Sequence, residues 1–125
     1  MRQFEVTIDN EIGSMAEICE TLAKARVNIR AIATELRDTV GVIKFITDDE
    51  EMTRQSLNAA GFNFSEYEIL PVKLMDRPGE LAKLARALSN LNIDIESVFL
   101  LSRDNGTTEI AFKVNNLKNA RELFK

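Results

Sequence analysis

The chain has no histidine, no tryptophan, a single cysteine and only two prolines in 125 residues. Without histidine, the side chain that titrates nearest neutrality is missing as a general base, and so is the commonest metal ligand. One thiol cannot form an internal disulfide, and zinc needs Cys/His clusters that this sequence does not contain. Cys19 falls on a helical apolar stripe with Met15, Ile18 and Leu22, where a small buried hydrophobe is its expected role. There is no glycine-rich phosphate cradle. The acidic run Asp48-Asp49-Glu50-Glu51 lacks the alternating ligands and the glycine turn of a calcium loop, and reads as the solvated start of a helix. No catalytic residue, no metal ligand and no cofactor is expected.

Positive charge is also scarce. Sixteen Lys and Arg stand against 20 Asp and Glu, for a net charge of −4, and no basic stripe offsets the acidic run. A nucleic-acid partner is therefore not expected. Phe4 and Phe45 lack the paired aromatic and basic residues of an RNA-stacking sheet, and core packing accounts for both. The start, Met1-Arg2-Gln3-Phe4-Glu5-Val6, has no signal-peptide apolar stretch, and no apolar run is long enough for a bilayer. The expectation is a cytoplasmic protein with no membrane partner.

What is present is a repeat. Asn10-Glu11-Ile12-Gly13 and Asp76-Arg77-Pro78-Gly79 lie 66 positions apart. Each opens a helical apolar pattern: Met15, Ile18, Cys19 and Leu22 after Gly13, and Leu81, Leu84, Ala85 and Leu88 after Gly79. Each pattern leads to a strand start, Val27-Asn28-Ile29 or Ile93-Asp94-Ile95. Such self-similarity fixes architecture ahead of any single motif. A unit of about 60 residues is marginal alone, so the two copies are expected to share a core.

Alternation over Gln3–Ile8 predicts a strand. Ser14 to Arg26 predicts a helix, with Ser14 and Glu17 spaced as a capping box. Val27–Leu36, a turn at Arg37-Asp38-Thr39 and Val40–Ile46 predict a returning pair of strands. Thr47 or Asp48 is expected to cap a second helix that Gly61 ends, and Phe62–Tyr67 follows as a strand. In the second copy Pro71 interrupts the strand run. The expected elements are then Val72–Met75, a helix over Glu80–Asn90, a strand over Ile93–Ser102, an Asn105-Gly106 hairpin, a strand over Thr107–Val114 and a helix over Asn116–Phe124. Val42–Ile46 matches Glu109–Lys113 once the hairpin takes one extra residue. The order predicts an α+β protein of two tandem βαββαβ ferredoxin-like units with antiparallel sheets, side by side. The domains are residues 1–69 and 70–125, the second lacking its last strand. Either the natural protein has no eighth strand or the chain is a fragment.

A loop that ends in glycine at a helix start presents free N–H groups beside the positive end of the helix dipole, and can admit a carboxylate. Asp76, or the amide of Asn10, can accept hydrogen bonds from an ammonium group. A small zwitterion thus has places for both charges. The alternative is that Asp76 and Ser14 cap their helices and Pro78 pre-sets a first turn.

The run Asp-Arg-Pro-Gly-Glu-Leu-Ala over 76–82, a helix, then Asn-Ile-Asp-Ile over 92–95 resembles the signature of the ACT domain. That resemblance extends over both copies. It implies βαββαβ regulatory modules that bind amino acids between the β1–α1 loop of one domain and the β2 start of its neighbour. On that resemblance Asp76, Arg77, Pro78, Gly79, Glu80 and Leu81 would face Asn28, and Asn10, Glu11, Ile12 and Gly13 would face Asp94. Ile12 stands where the family favours proline, and Asp94 replaces the usual asparagine and would oppose a carboxylate. The first pairing is therefore the better candidate. Ile12, Leu81 and Ile32 would suit an aliphatic side chain.

The function expected is a non-enzymatic amino acid sensor that signals through assembly or partner contacts, with a homodimer expected from the open sheet edges. The alternative is a ligand-free dimerisation or docking subunit of an amino acid biosynthetic enzyme. A longer natural chain with catalysis elsewhere is a third reading.

Overall fold

A computed structural model describes residues 1–9 and 11–124, with seven strands and four helices among them. Contacts divide the chain into Arg2–Tyr67 and Glu68–Lys125, with Met1 joining the latter.

In the first unit the strands are β1 (Arg2–Asp9), β2 (Ile29–Arg37), β3 (Val40–Thr47) and β4 (Phe64–Glu68), and the helices are α1 (Ser14–Lys24) and α2 (Glu50–Ala59). Sheet order is β2-β3-β1-β4, the ferredoxin-like arrangement. β1 and β3 are antiparallel with Phe4 opposite Phe45 and Val6 opposite Ile43. Period-2 alternation puts these four side chains on one face. There they bury against Ile18 and Leu22 of α1 and Leu57 of α2.

In the second unit β5 (Leu70–Met75), α3 (Glu80–Asn90), β6 (Ile95–Asp104), β7 (Thr107–Val114) and α4 (Leu117–Leu123) repeat the pattern. Its sheet order is β5-β7-β6. Val72, Ile110 and Phe112 bury against Leu84 and Leu88 of α3 and Ala120 of α4. Among the described residues, no helix is long and apolar enough to cross a membrane.

Several sequence expectations need correction. Pro71 does not interrupt a strand but lies within β5, opposite Ala111. β5 is an edge strand, where a residue without an N–H leaves no ladder bond unmade. The extra residue of the second copy is not in the hairpin either. It is a bulge in β6 between Leu100 and Ser102. The Ser14–Glu17 capping box does not form, because Ser14 Oγ donates to the Asp9 carbonyl at 3.3 Å. The cap of α2 is Asp49, which accepts from the Met52 N–H at 2.9 Å.

Three helices end alike. Arg26, Gly61 and Asn92 take positive φ, and the following residues, Val27, Phe62 and Ile93, donate back to Leu22, Leu57 and Leu88. These are Schellman motifs, and they aim the chain from each helix back under the sheet.

Candidate functional site

The two β-to-α loops share one backbone design. The N–H of Arg77 donates to the Met75 carbonyl at 3.0 Å, and Glu11 to Asp9 at 2.8 Å. Each loop then reaches a left-handed glycine, Gly79 at φ 89° and Gly13 at φ 94°. No side chain caps either α3 or α1, whereas Asp49 and Asn116 cap α2 and α4. The Ser14 and Glu80 N–H groups donate to the Glu11 and Arg77 carbonyls at 3.2 and 3.4 Å, which leaves the next two N–H groups of each helix without a side-chain cap at the positive end of the dipole. Pro78 precedes the glycine rather than opening the helix. The capping roles considered for Ser14 and Asp76 are not what these residues do.

Around this frame the loops differ. In the second unit Asp76 is anchored by its N–H to the Gly106 carbonyl at 2.8 Å, and its carboxylate pairs with Arg103 at 3.5 Å. Arg77 Nε donates to Glu80 Oε1 at 2.5 Å, with Lys83 Nζ 3.5 Å from the same oxygen. The Arg77 guanidinium, helped by Lys83, holds the Glu80 carboxyl below the ordinary carboxylate value. In the first unit the positions of Arg77, Glu80 and Lys83 are taken by Glu11, Ser14 and Glu17. That loop mouth has no cation in the helix's first turn. Ile12 is fully exposed, and Asn10 lies outside the described residues.

Each loop overlooks an open cavity of its own unit. That of the second unit is about 400 Å³, walled by Leu74, Leu81, Val98, Leu100 and Ile110. The corresponding one in the first unit is about 210 Å³. Met15 and Leu81, which the helical pattern assigns to the core, are 43% and 49% exposed at these cavity rims. The buried stripes are Ile18 and Leu22, and Leu84 and Leu88. Cys19 is half-buried and unpaired.

Asn28 and Asp94 open their turns identically. The Asn28 N–H donates to Asp48 Oδ1 at 2.9 Å while Asp48 N–H returns a bond to the Asn28 carbonyl at 3.1 Å. Asp94 and Asn115 repeat this at 2.9 and 3.2 Å. The backbones of Asn28 and Asp94 are therefore fixed and their side chains are exposed. Within each unit this strand start sits at the sheet end opposite the loop, since β5 and β6 both run antiparallel to β7. No single unit assembles the loop together with the strand start. Asp48, read from the sequence as a helix cap, and Asn115, Arg103 and Thr108, which the sequence did not single out, belong to these neighbourhoods. Asn28 and Asp94 lie 66 residues apart, and Asp48 and Asn115 lie 67 apart because β6 carries one extra residue; aligning the copies with that insertion is the signal that could have found them.

Among the described residues, no group of three or more His, Cys, Asp or Glu is placed to hold a metal.

Two ferredoxin-like units in tandem, each with its first helix starting uncapped at a left-handed glycine, define the class of fold. The chain belongs to the ACT domain pair family, whose model matches residues 1–125. Aspartokinase from Corynebacterium glutamicum is 28% identical over 121 residues, 91% of this chain and 29% of that protein. Aspartokinase from Corynebacterium efficiens is 29% identical over 106 residues, 81% of this chain and 25% of that protein. The chain thus spans between a quarter and a third of the length of these curated relatives. Among solved structures, protein BT0572 from Bacteroides thetaiotaomicron matches with a TM-score of 0.89 at 22% identity, over 98% of this chain and 85% of that one. The ligand-free regulatory subunit of aspartate kinase from Thermus thermophilus matches with a TM-score of 0.70 at 15% identity, over 99% and 92%. At these identities the structural matches establish the fold alone.

Proposed function

We propose that this ACT domain pair is a non-enzymatic sensor of a small amino acid, held between the 76–81 loop of the second unit and Asn28 of the first. The observation that carries this reading is the uncapped start of α3, with Gly79 leaving open space before it and Arg77 beside it. A carboxylate there meets free N–H groups and a cation, and the Asp76 carboxylate offers an acceptor for the ammonium. Because loop and strand start lie at opposite ends of each unit's sheet, a site that uses both must join two units. Ligand would then act by favouring the arrangement in which they meet, with an effect bounded by its differential affinity for the two arrangements. The likeness to aspartokinases supports an amino acid biosynthetic enzyme as the regulated partner.

The test is dye-reported thermal melting against the twenty amino acids. Ligand at about 100 times its dissociation constant adds roughly 2.7 kcal/mol, a shift of several degrees for a protein this size. A selective shift that Asn28→Ala and Gly79→Ala both abolish supports the interface site. A flat panel at millimolar concentrations sinks it.

A second reading, a dimerising or docking subunit without ligand, is favoured by one observation. Val98 and Leu100 are exposed on β6, and Ile32 and Leu36 on β2, each an edge strand of its sheet. Such edges accept a strand from a second copy. Sedimentation across a range of concentrations, with and without amino acids, separates the readings, since a docking subunit associates regardless of them.

A further inference from the structure

The cavity of the second unit holds one polar atom that its surroundings leave unused. Thr108 is only 9% exposed, and its Oγ1 has no hydrogen-bond partner among the described residues. Strand alternation places Thr108 on the same face of β7 as Ile110 and Phe112, at the sheet end nearest the 76–79 loop. Thr108 and Ile110 both line the cavity, with Leu74 opposite Thr108 in the ladder and Leu100 opposite Ile110. A buried hydroxyl without a partner is a standing cost that an incoming group can remove. The charged residues of the cavity stand paired with each other, Asp76 with Arg103 and Arg77 with Glu80. Deeper in, the walls are hydrocarbon, which disfavours a charged end and admits a neutral hydrogen-bonding one.

Building on the amino-acid reading above, we infer that this cavity receives the ligand's side chain and selects one that ends in a hydroxyl, bonded to Thr108 Oγ1. The first unit has no counterpart. Gly41 stands where Thr108 would be, a Cβ added there would meet Ile8 Cγ1 at 3.4 Å, and the cavity is half the size. The proposed hydroxyl selection through a buried β-strand threonine is therefore confined, among the described residues, to the second unit.

The experiment uses three pairs of isosteric amino acids: serine with 2-aminobutyrate, homoserine with norvaline, and 5-hydroxynorvaline with norleucine. Calorimetric affinities are measured on the whole chain as wild type, Thr108→Ser and Thr108→Val. The expected result is that in at least one pair the hydroxyl member binds roughly tenfold tighter. Thr108→Ser should keep that preference and Thr108→Val should lose or reverse it. Equal binding within every pair, a hydrocarbon preference in the wild type, or a hydroxyl preference that survives in Thr108→Val overturns the inference while leaving the amino-acid reading intact. No binding of any of the six, or of any of the twenty in the melting panel, removes both. Should Thr108→Val fold poorly, Gly41→Thr with the wild-type Thr108 retained gives a second readout. It leaves the preference unchanged if the selective pocket lies in the second unit alone, and a changed preference overturns that assignment.

Discussion

The loops of the two copies share a backbone and differ in what surrounds it. Both close a three-residue turn, both reach a left-handed glycine, and both leave a helix start uncapped. Around the first helix start lie the acidic residues Asp9, Glu11 and Glu17, while around the second Arg77, Lys83 and Arg103 are set against Asp76 and Glu80, a balance that leaves one net positive charge. Half a positive charge at a helix N-terminus attracts a carboxylate, but a nearby carboxylate of the protein cancels much of that pull. The lesson is that both copies share one backbone at the loop while their surrounding charges differ, and the proposed carboxylate site fits the second copy better.

The largest test of this contrast is a paired substitution, Gly13→Val and Gly79→Val. Neither glycine has any atom within 4 Å of where a Cβ would sit, so collision is not the issue. The cost is left-handed backbone, about 1–2 kcal/mol at either position and more for a β-branched residue. Both variants should melt several degrees lower in the absence of ligand. Only Gly79→Val should also lose the amino acid-dependent rise. An equal loss of ligand response in both would erase the contrast between the loops.

A smaller effect separates capped from open helices. Asp49→Ala and Asn116→Ala each remove a side-chain bond to a first-turn N–H and should cost about 1 kcal/mol by chemical denaturation. Ser14→Ala should cost a few tenths at most, because Ser14 Oγ reaches back to a carbonyl of β1 and leaves the α1 amides untouched. A full cap's worth of loss at Ser14 would mean that α1 is not open.

Much of the fold was legible in the chain. Val6 with Val72, Leu22 with Leu88 and Phe45 with Phe112 are buried at matched places, and their recurrence predicts both sheets and both crossovers. What escaped was set by tertiary geometry. Leu101 as a bulge could not be distinguished from a longer hairpin, because Asn105-Gly106 is a competent turn whether or not it absorbs the extra residue. Pro71 read as a strand breaker because a sequence does not say which strands lie at an edge. Met15 and Leu81 kept perfect helical spacing yet sit on the first turn, at cavity rims where the sheet only partly covers them. Within the candidate site, the two loops came from the repeat and from the glycine at each helix start, and their pairing with Asn28 and Asp94 came from the resemblance. Thr108 could not, since a buried hydroxyl without a partner is a property of its neighbours. The Ser14–Glu17 spacing promised a cap that the glycine-led loop geometry does not permit.

Acid titration sharpens the contrast further. Arg54 grips Glu66 through two bonds of 2.7 Å in the first unit, as Arg77 grips Glu80 in the second. Both carboxyls are held below their ordinary value of 4.5, chiefly by the guanidinium hydrogen bond. A carboxyl that binds its proton less readily folded than unfolded adds stability above the unfolded value. That stability is lost as pH falls through the lower, folded value. Melting followed from neutrality to strong acid should therefore be steepest below about 4.5. Both Glu66→Gln and Glu80→Gln should flatten that limb. Only Glu80→Gln, which frees Arg77 at the loop, should change the amino acid response at neutral pH. A response altered equally by Glu66→Gln would deny the second loop its special role.

The smallest effect concerns how the helices leave the sheet. Arg26 and Asn92 occupy equivalent left-handed positions, at φ 59° in both cases, and each is followed by the same back-bond to the helix. Asparagine tolerates this region and arginine does not, so the first copy stores strain that the second avoids. Replacing Arg26 with glycine relieves that strain but loosens the unfolded chain, and the two partly offset. The net gain should be a few tenths to about 1 kcal/mol. Asn92→Gly has little strain to relieve and should sit near zero. Paired urea titrations resolve the difference between them. A loss at Arg26 would mean that its side chain contributes more than its backbone costs, and would place a function for it on the exposed end of α1.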